Sequence, residues 1–393
     1  MVQRIFFSVG EPSGDQHTAR LIGELRRRHP GLRFRGFGGP EMRQAGCQLD
    51  FELTELAVMG VIEVLPMLRK FFRLADQAEE AFAAGDVDAV VLADFPGFNW
   101  HIARRAKKYG IPVSYYLPPQ LWAWGGWRVR KMRRSVDQVL SVLPFECDWY
   151  RSHGVHAELV GHPFFDAVAD CQLDRAVTDR LQESINQGAR LVAVLPGSRE
   201  QEVQRNWPVM LAAIRRLARQ HPQVRFLVAA FRDPQCLWIR RQLEEVDRDL
   251  PIDFFVGKTS EVIEKAECAM MVSGSVSLEM MARDTPAVVL YRVGRVFYAT
   301  AKALVRVDSM TLPNLMAGET LFPELGSVGP PQPAVDFLVH ELDRMLSDAP
   351  YCQSLRHRLA ELRQAAAAPG ASARAAEALL QHWQPLERRR QAA

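Results

Sequence analysis

The chain has 393 residues, 48% of them hydrophobic and 24% charged, with a net charge of +3 at pH 7. That length is too great for one ordinary core and points to two domains, while the near-neutral balance excludes a nucleic-acid binder that relies on phosphate neutralisation. The six cysteines, at 47, 147, 171, 236, 268 and 352, form no C-x-x-C pair, which excludes a zinc or disulfide framework and reads as the reduced thiols of a cytoplasmic protein.

Arg4 to Val9 reads as a buried strand entered without a secretory leader, and no apolar run is long enough to span a bilayer. Gly10 to Gly14 (GEPSG) is a loop, Asp15 a helix N-cap, Gln16 to His29 a helix and Leu32 to Gly36 the next strand. This βαβ opening implies a parallel sheet. The loop spacing is not G-x-G-x-x-G, so a dinucleotide fingerprint is not supported. GFGGP at Gly36 to Pro40 is a second glycine loop; a plain tight turn is the alternative for either. Leu56 to Ala75 mixes apolar Val61, Ile62, Leu65, Phe71 and Phe72 with basic Arg69, Lys70 and Arg73, and Pro66 interrupts it. Such a stretch can lie in a membrane interface, or form a core helix with a solvated basic edge.

The strand Asp88 to Ala93 delivers Asp94 at its C-terminal end, ahead of Phe95-Pro96-Gly97-Phe98-Asn99. A carboxylate there can take a proton from a hydroxyl nucleophile, or simply cap a helix. Asp86-Val87-Asp88 precedes the strand, the wrong end for catalysis, and reads as a turn. After the strand Pro112 to Leu117, three tryptophans (Trp122, Trp124, Trp127) stand among Pro and Gly, suited to a loop that stacks on sugar or covers an acyl chain. Arg128, Arg130, Lys131, Arg133 and Arg134 follow and offer a dock for phosphate or an anionic headgroup, or a solvated helix face. Val136 to Val142 and Glu158 to Val160 are further strands; Gly161-His162-Pro163 reads as a hinge, with His162 a hydrogen-bonded hinge residue or, as the alternative, an acid or base.

In the second half, strands at Leu191–Leu195, Val224–Ala229, Ile252–Phe255, Ala269–Val272 and Pro286–Tyr291 alternate with helices. Pro196-Gly197-Ser198-Arg199 breaks the first of them before a helix, so turn amides and a guanidinium meet at a helix start, as phosphate binding needs. Ser273-Gly274-Ser275-Val276-Ser277 repeats that geometry, and Glu279 lies one turn in, placed to accept from ribose hydroxyls. Together these read as a nucleotide-diphosphate cradle, with a solvated Arg and a Ser-rich cap as the alternatives. Arg292 to Val307 is a second basic-apolar stretch, Asn314 lies in a loop where its amide could reach a ligand, and residues from Pro333 are helical to Leu386, broken at Pro350 and at Ala368-Pro369-Gly370, with Arg388 to Arg390 a disordered basic tail.

In this order, GEPSGD (Gly10–Asp15), LAVMGVIEVLP (Leu56–Pro66), DFPGFN (Asp94–Asn99), WAW (Trp122–Trp124), LPFE (Leu143–Glu146), GHP (Gly161–Pro163), LPGSREQEV (Leu195–Val203), SGSVSLE (Ser273–Glu279) and LPNLMAG (Leu312–Gly318) resemble the lipid-A-disaccharide synthases. The family pattern has a second Asp where Gly97 stands here, and another segment where Pro118-Pro119-Gln120 stands. The resemblance implies an α/β GT-B fold: two Rossmann-like, doubly wound domains facing a cleft, an acceptor domain over 1–166, a donor domain over 167–345, and C-terminal helices over 346–393 packing back on the first. It implies an inverting glycosyltransferase that joins UDP-2,3-diacylglucosamine to 2,3-diacylglucosamine 1-phosphate in lipid A biosynthesis. Asp94 and Glu11 would be catalytic. Ser198, Arg199, Gly274, Ser275, Ser277, Glu279 and Asn314 would bind UDP. Ser13, Asn99, Trp122, Trp124 and His162 would line the acceptor side. No metal or other cofactor is expected, and no nucleic acid. The expected place is the cytoplasmic face of the inner membrane, held peripherally, with a homodimer compatible. A GT-B enzyme on soluble UDP-N-acetylglucosamine such as a 2-epimerase, a dinucleotide oxidoreductase and a non-catalytic lipid-binding relative are the rivals.

Overall fold

The computed structural model describes residues 2–57, 64–295, 298 and 309–391. The chain divides into two compact units, Met1–Asp166 with Ala368–Ala393, and Ala167–Ala367. The first carries strands β1 (Arg4–Val9), β2 (Arg33–Gly38), β3 (Gln48–Glu52), β4 (Ala89–Ala93), β5 (Val113–Tyr116), β6 (Gln138–Ser141) and β7 (Ala157–Leu159). The second carries β8 (Arg190–Leu195), β9 (Val224–Ala230), β10 (Ile252–Val256), β11 (Cys268–Met271), β12 (Ala287–Arg292) and β13 (Glu324–Ser327). Every strand pair is parallel, in the orders β3-β2-β1-β4-β5-β6-β7 and β10-β9-β8-β11-β12-β13.

Continuous apolar runs suit these central strands because helices cover both faces of a parallel sheet. Successive side chains alternate between faces: Phe6, Val90 and Leu92 enter one core of the first unit, while Ile5, Phe7 and Val91 enter the other. Val192 and Val194 of β8 pack with Trp207 and Leu338 in the second unit. In each sheet the order reverses once. The reversal lies between β1 and β4 in the first unit and between β8 and β11 in the second. Ligands of open parallel sheets sit beyond the carboxyl ends of strands at such reversals.

Asp15 does not cap its own helix. That helix begins earlier, at Pro12, whose fixed φ and missing N–H suit a first turn, and Asp15 is buried inside it. Its carboxylate instead accepts from the amides of Gly39 (2.9 Å), Glu41 (3.0 Å) and Met42 (3.1 Å), and so caps the neighbouring helix Pro40–Gln44. Pro66 does not break the basic-apolar stretch either, since it falls in the first turn of the helix Val64–Ala83, where no donor is needed.

Helices Gln332–Ser347 and Ala349–Ala366 stay with the second unit, because Leu338, Leu342 and Leu355 join its core. The chain returns to the first unit at Ala368, later than position 346. There the helix Ala371–Gln391 buries Ala375, Leu379 and Trp383 against the core on which Leu21 and Leu25 of helix Pro12–Arg28 also pack. Its backbone stays helical through Arg388–Arg390, where the sequence suggested a disordered tail. Of the second basic-apolar stretch, Phe297, Lys302, Leu304, Val305 and Arg306 lie outside the described residues.

Candidate active site

At the first reversal, β1 ends in the loop that starts helix Pro12–Arg28, and β4 ends at Asp94. Asp94 and Phe95 both hold positive φ, +46° and +38°, a left-handed conformation that non-glycine residues rarely take and that costs about 1–3 kcal/mol each. Three side-chain bonds hold it. The Asn99 amide donates to the carbonyls of Ala93 (3.0 Å) and Asp94 (2.9 Å), and the Tyr115 hydroxyl donates to the Asp94 carbonyl (2.5 Å). Asn99 also donates to the Ser8 carbonyl (3.2 Å) and accepts from the Ser8 hydroxyl (2.6 Å), which ties β1 to β4.

The turn aims the Asp94 carboxylate at the helix start. Oδ1 accepts from the amides of Gly10 (2.9 Å) and Glu11 (3.2 Å), while Oδ2 is buried without a hydrogen-bond partner. A Cβ at Gly14 would lie 1.6 Å from that Oδ2, and one at Gly10 would meet the Phe95 ring at 2.4 Å. The glycines of this loop are therefore demanded by the approach of Asp94 and Phe95. Burial pushes the Asp94 carboxyl well above the usual carboxylate range, and the charges of Glu11 and Asp15 add to that, against the two amide donors. Glu11 is half-buried at the helix start and Ser13 is exposed beside it.

Asp94, Glu11 and Ser13 thus come together at one strand reversal. Asn99 belongs to the same place but is fully buried, with its amide spent on backbone, so it holds the turn and does not line a substrate surface. His162 lies against the same helix one turn further on, its ring edge-on to His17 at 5.9 Å between centroids. The Phe164 amide donates to its Nδ1 (3.2 Å), and burial lowers both rings, His17 to about 4 and His162 to about 3. Both are neutral near pH 7.

Trp122 is half-buried and its indole N–H donates to Glu146 (3.1 Å). Trp124 and Trp127 are exposed, with the Arg128 guanidinium 3.9 Å over the Trp124 ring and Lys131 6.0 Å from the Trp127 ring. The helix Val64–Ala83 adds exposed Leu68 and Phe72 among exposed Arg69, Lys70 and Arg73. Phe72 packs edge-on against His101 at 5.5 Å, and His101 feels the charge of Lys131. The first unit therefore presents a surface of large apolar side chains interleaved with cations. No described helix is long and apolar enough to cross a membrane.

At the second reversal, β8 and β11 end side by side, with Met271 opposite Leu195 and the Val272 amide on the Leu195 carbonyl (3.0 Å). The turns Pro196–Arg199 and Ser273–Ser277 are thereby neighbours. Gly197 takes φ +125°. The amides of Ser198 and Arg199 point together, as the sequence implied, but they are not free. Both donate to Glu202 Oε2 at 3.2 Å, and the Arg199 guanidinium reaches Oε1 at 3.4 Å. Glu202 sits three residues after Arg199, the spacing of a capping box, which was the available signal for it. The Arg199 side chain is otherwise 77% exposed.

Gly274 and Ser275 are exposed, and nothing crowds a Cβ at Gly274. Ser277 is buried, its hydroxyl on the Gly274 carbonyl (2.8 Å). Glu279 is buried and accepts from Arg283 Nε (3.1 Å), whose other arm reaches Glu264 (2.7 Å). Asn314 is buried with its oxygen taking the amides of Leu321 and Phe322, each at 2.8 Å, and its nitrogen donating to the Phe322 carbonyl (2.8 Å). It closes its own loop. Among the described residues no three His, Cys, Asp or Glu side chains gather in a way that would hold a metal ion.

A profile of the family described as lipid-A-disaccharide synthetase matches residues 5–336. The lipid-A-disaccharide synthase of Syntrophus aciditrophicus is 36% identical over 95% of this chain and 96% of its own length. That of Myxococcus xanthus is 35% identical over 97% and 98%. Among solved structures, a UDP-GlcNAc 2-epimerase from Neisseria meningitidis bound to UDP-GlcNAc superposes with a TM-score of 0.65 at 13% identity, covering 96% of this chain and 100% of that one. The calicheamicin glycosyltransferase CalG4 superposes with a TM-score of 0.62 at 16% identity, covering 98% and 99%. At these identities the structures speak to fold alone, and the fold is that of the GT-B glycosyltransferases.

Proposed function

The chain belongs to the lipid-A-disaccharide synthase family, and on that ground we propose how its residues divide the work of the reaction. It is an inverting glycosyltransferase of lipid A biosynthesis: UDP-2,3-diacylglucosamine and 2,3-diacylglucosamine 1-phosphate give the β-1,6-linked disaccharide 1-phosphate and UDP. The epimerase reading is not favoured, because likeness to such enzymes stops at the fold, whereas likeness to the synthases runs through the sequence.

Asp94 is the general base. It takes the proton of the acceptor 6-hydroxyl as that oxygen attacks the anomeric carbon and the bond to UDP breaks. A carboxyl raised toward the working pH is the more effective proton acceptor, and its buried setting supports the role. The acceptor's arrival turns the carboxylate off the Gly10 and Glu11 amides by rotation about its Cα–Cβ bond. Glu11 stands beside it at the same helix start and orients the sugar, with Ser13. Asn99 and Tyr115 are positioning residues for the strained turn.

UDP leaves with charge on its diphosphate, and fixed donors aimed at that charge lower the barrier. Arg199 supplies the cation, and the Ser198 and Arg199 amides become available when the diphosphate displaces Glu202. Gly274, Ser275 and Ser277 supply the second turn; Gly274 has open space around it and no positive φ, so close approach of a ligand explains the glycine better than the fold does. Glu279, steadied by Arg283, accepts from the ribose. The exposed Leu68, Phe72, Trp124 and Trp127, with their cations, rest on the cytoplasmic face of the inner membrane, from which both acylated substrates come.

The position of Asp94 at the strand reversal carries this reading. Purified protein given both acylated sugars should form the disaccharide phosphate, read by mass spectrometry. Asp94→Asn should lose turnover and still bind UDP by calorimetry. A second reading rests on the inward turn of Asp94: Glu11 takes the proton and Asp94 only caps the helix. A loss of turnover in Glu11→Gln larger than that in Asp94→Asn would favour it.

A further inference from the structure

We propose that Glu146 is a positioning residue for the acceptor side, fixing the aromatic loop 118–127 from inside the first unit through the indole N–H of Trp122. The link to the acceptor rests on the reading above; the ordering of the loop does not.

Glu146 is 1% exposed. Its carboxylate accepts from Trp122 Nε1 (3.1 Å), the Ser141 hydroxyl (2.7 Å) and the Val142 amide (3.3 Å), none of them a cation. A buried carboxylate without a cation is costly; burial pushes this one up to about 7. Capping the helix Pro144–Ser152 would need no such burial, because a Ser or Asp before the helix serves that purpose at the surface. What Glu146 adds is reach: it joins the end of β6 and the first turn of that helix to the indole of Trp122 in the loop.

The loop backbone holds itself by short turns such as Leu121 N to Pro119 O (2.7 Å) and Ala123 N to Gln120 O (3.2 Å). Two side chains of helix Pro144–Ser152 grip it from below. Tyr150 donates to the Pro119 carbonyl (2.6 Å), and Phe145 meets the Trp122 ring edge-on at 4.8 Å. Beyond that root the loop is outward. Trp124 is 50% and Trp127 70% exposed, and Arg128 both stacks on Trp124 and donates to its carbonyl (3.1 Å). Aromatic faces beside a guanidinium match a ligand that is acylated at one end and phosphorylated at the other. A ligand surface of this kind works only when its rotamers are held from behind.

The test is a double-mutant cycle on the full-length protein with Glu146→Ala, Trp122→Phe and both together. Two readouts are taken: KM for the acylated sugar phosphate against kcat, and amide hydrogen exchange in 118–127. Loss of one hydrogen bond to a charged group predicts an acceptor KM raised roughly tenfold, with kcat at saturating acceptor unchanged. Exchange in the loop should quicken, the double variant should match the singles, and Glu146→Gln should restore most of the loss because its amide oxygen still accepts from the indole. Additive losses, a fall in kcat with KM unmoved, or unchanged exchange would overturn the proposal. If Glu146→Ala does not fold, Trp122→Phe decides alone: an acceptor KM raised with kcat unmoved and quickened exchange in 118–127 would support the role, and unchanged exchange would overturn it. If the native protein forms no disaccharide, the functional reading fails, and hydrogen exchange alone still decides the role of Glu146.

Discussion

The two strand reversals solve opposite problems with the same topology. In the first unit, backbone strain and buried hydrogen bonds fix the backbone turn of Asp94 beside a helix start, and glycines at 10 and 14 exist to let its side chain in. In the second, Arg199 is 77% exposed and the amides of its turn are held by Glu202 from the first turn of the helix that follows. A proton acceptor needs a desolvated carboxyl, carried on a fixed backbone, whose affinity for protons is raised. A diphosphate cradle needs exposed donors that let the product go. If the proposed roles hold, the comparison teaches that a rigid backbone is placed where the bond is made and exposure where UDP enters and leaves.

The contrast predicts effects that differ in kind. Asp94→Asn should lower kcat by ~10²–10⁴ and leave UDP binding intact. The same change should raise the melting temperature near pH 7. The sign follows from its raised carboxyl: the folded chain holds this proton more tightly than the unfolded one, so the group's contribution to stability is full below the unfolded value and falls as pH rises toward the folded one. Asn removes that loss and tolerates positive φ. A melting temperature lowered at neutral pH would show that Asp94 is stabilising as a charge.

Asn99→Leu should be the most damaging to the fold, since it strips donors from the carbonyls of Ser8, Ala93 and Asp94. Leaving buried carbonyls unpaired costs about 1–3 kcal/mol, visible in urea titration, and turnover should fall as the Asp94 turn relaxes. Stability unchanged by Asn99→Leu would break the claim that strain is held by this amide. Arg199→Ala should do the reverse. UDP binding should weaken roughly tenfold by calorimetry, with the melting temperature unmoved because the side chain is exposed. Glu202→Gln is expected to be the mildest. Removing a carboxylate from the amides that a diphosphate would use should tighten UDP a few-fold; weaker binding would mean that Glu202 shapes the turn for the ligand.

Much of this was legible in the sequence. The central strands announce themselves as apolar runs, and β1, β4, β8 and β11 bring Asp94 and the two small-residue turns to the strand ends where the motifs placed them. Strands β3 (QLDFE) and β13 (ELGS) were not legible, because both are short, partly exposed edge strands that need no apolar run. Partner choice was the other blind spot. Asp15 looks like a cap for the helix after it but caps another helix brought near by the fold. The amides of Asn99 and Asn314 look outward-facing in loop motifs, yet both are spent on backbone. A polar residue in a loop motif signals that something is held there; which group it holds is decided by tertiary packing.

The pH dependence of kcat at saturating donor and acceptor, in the native chain and in Asp94→Asn, tests the central claim most directly. A base whose carboxyl is raised by burial becomes active only as pH climbs past the ordinary carboxylate range, so the native chain should show an acid limb there, and the residual turnover of Asp94→Asn should lack it. The same acid limb persisting in Asp94→Asn would contradict the account and move the proton to another group.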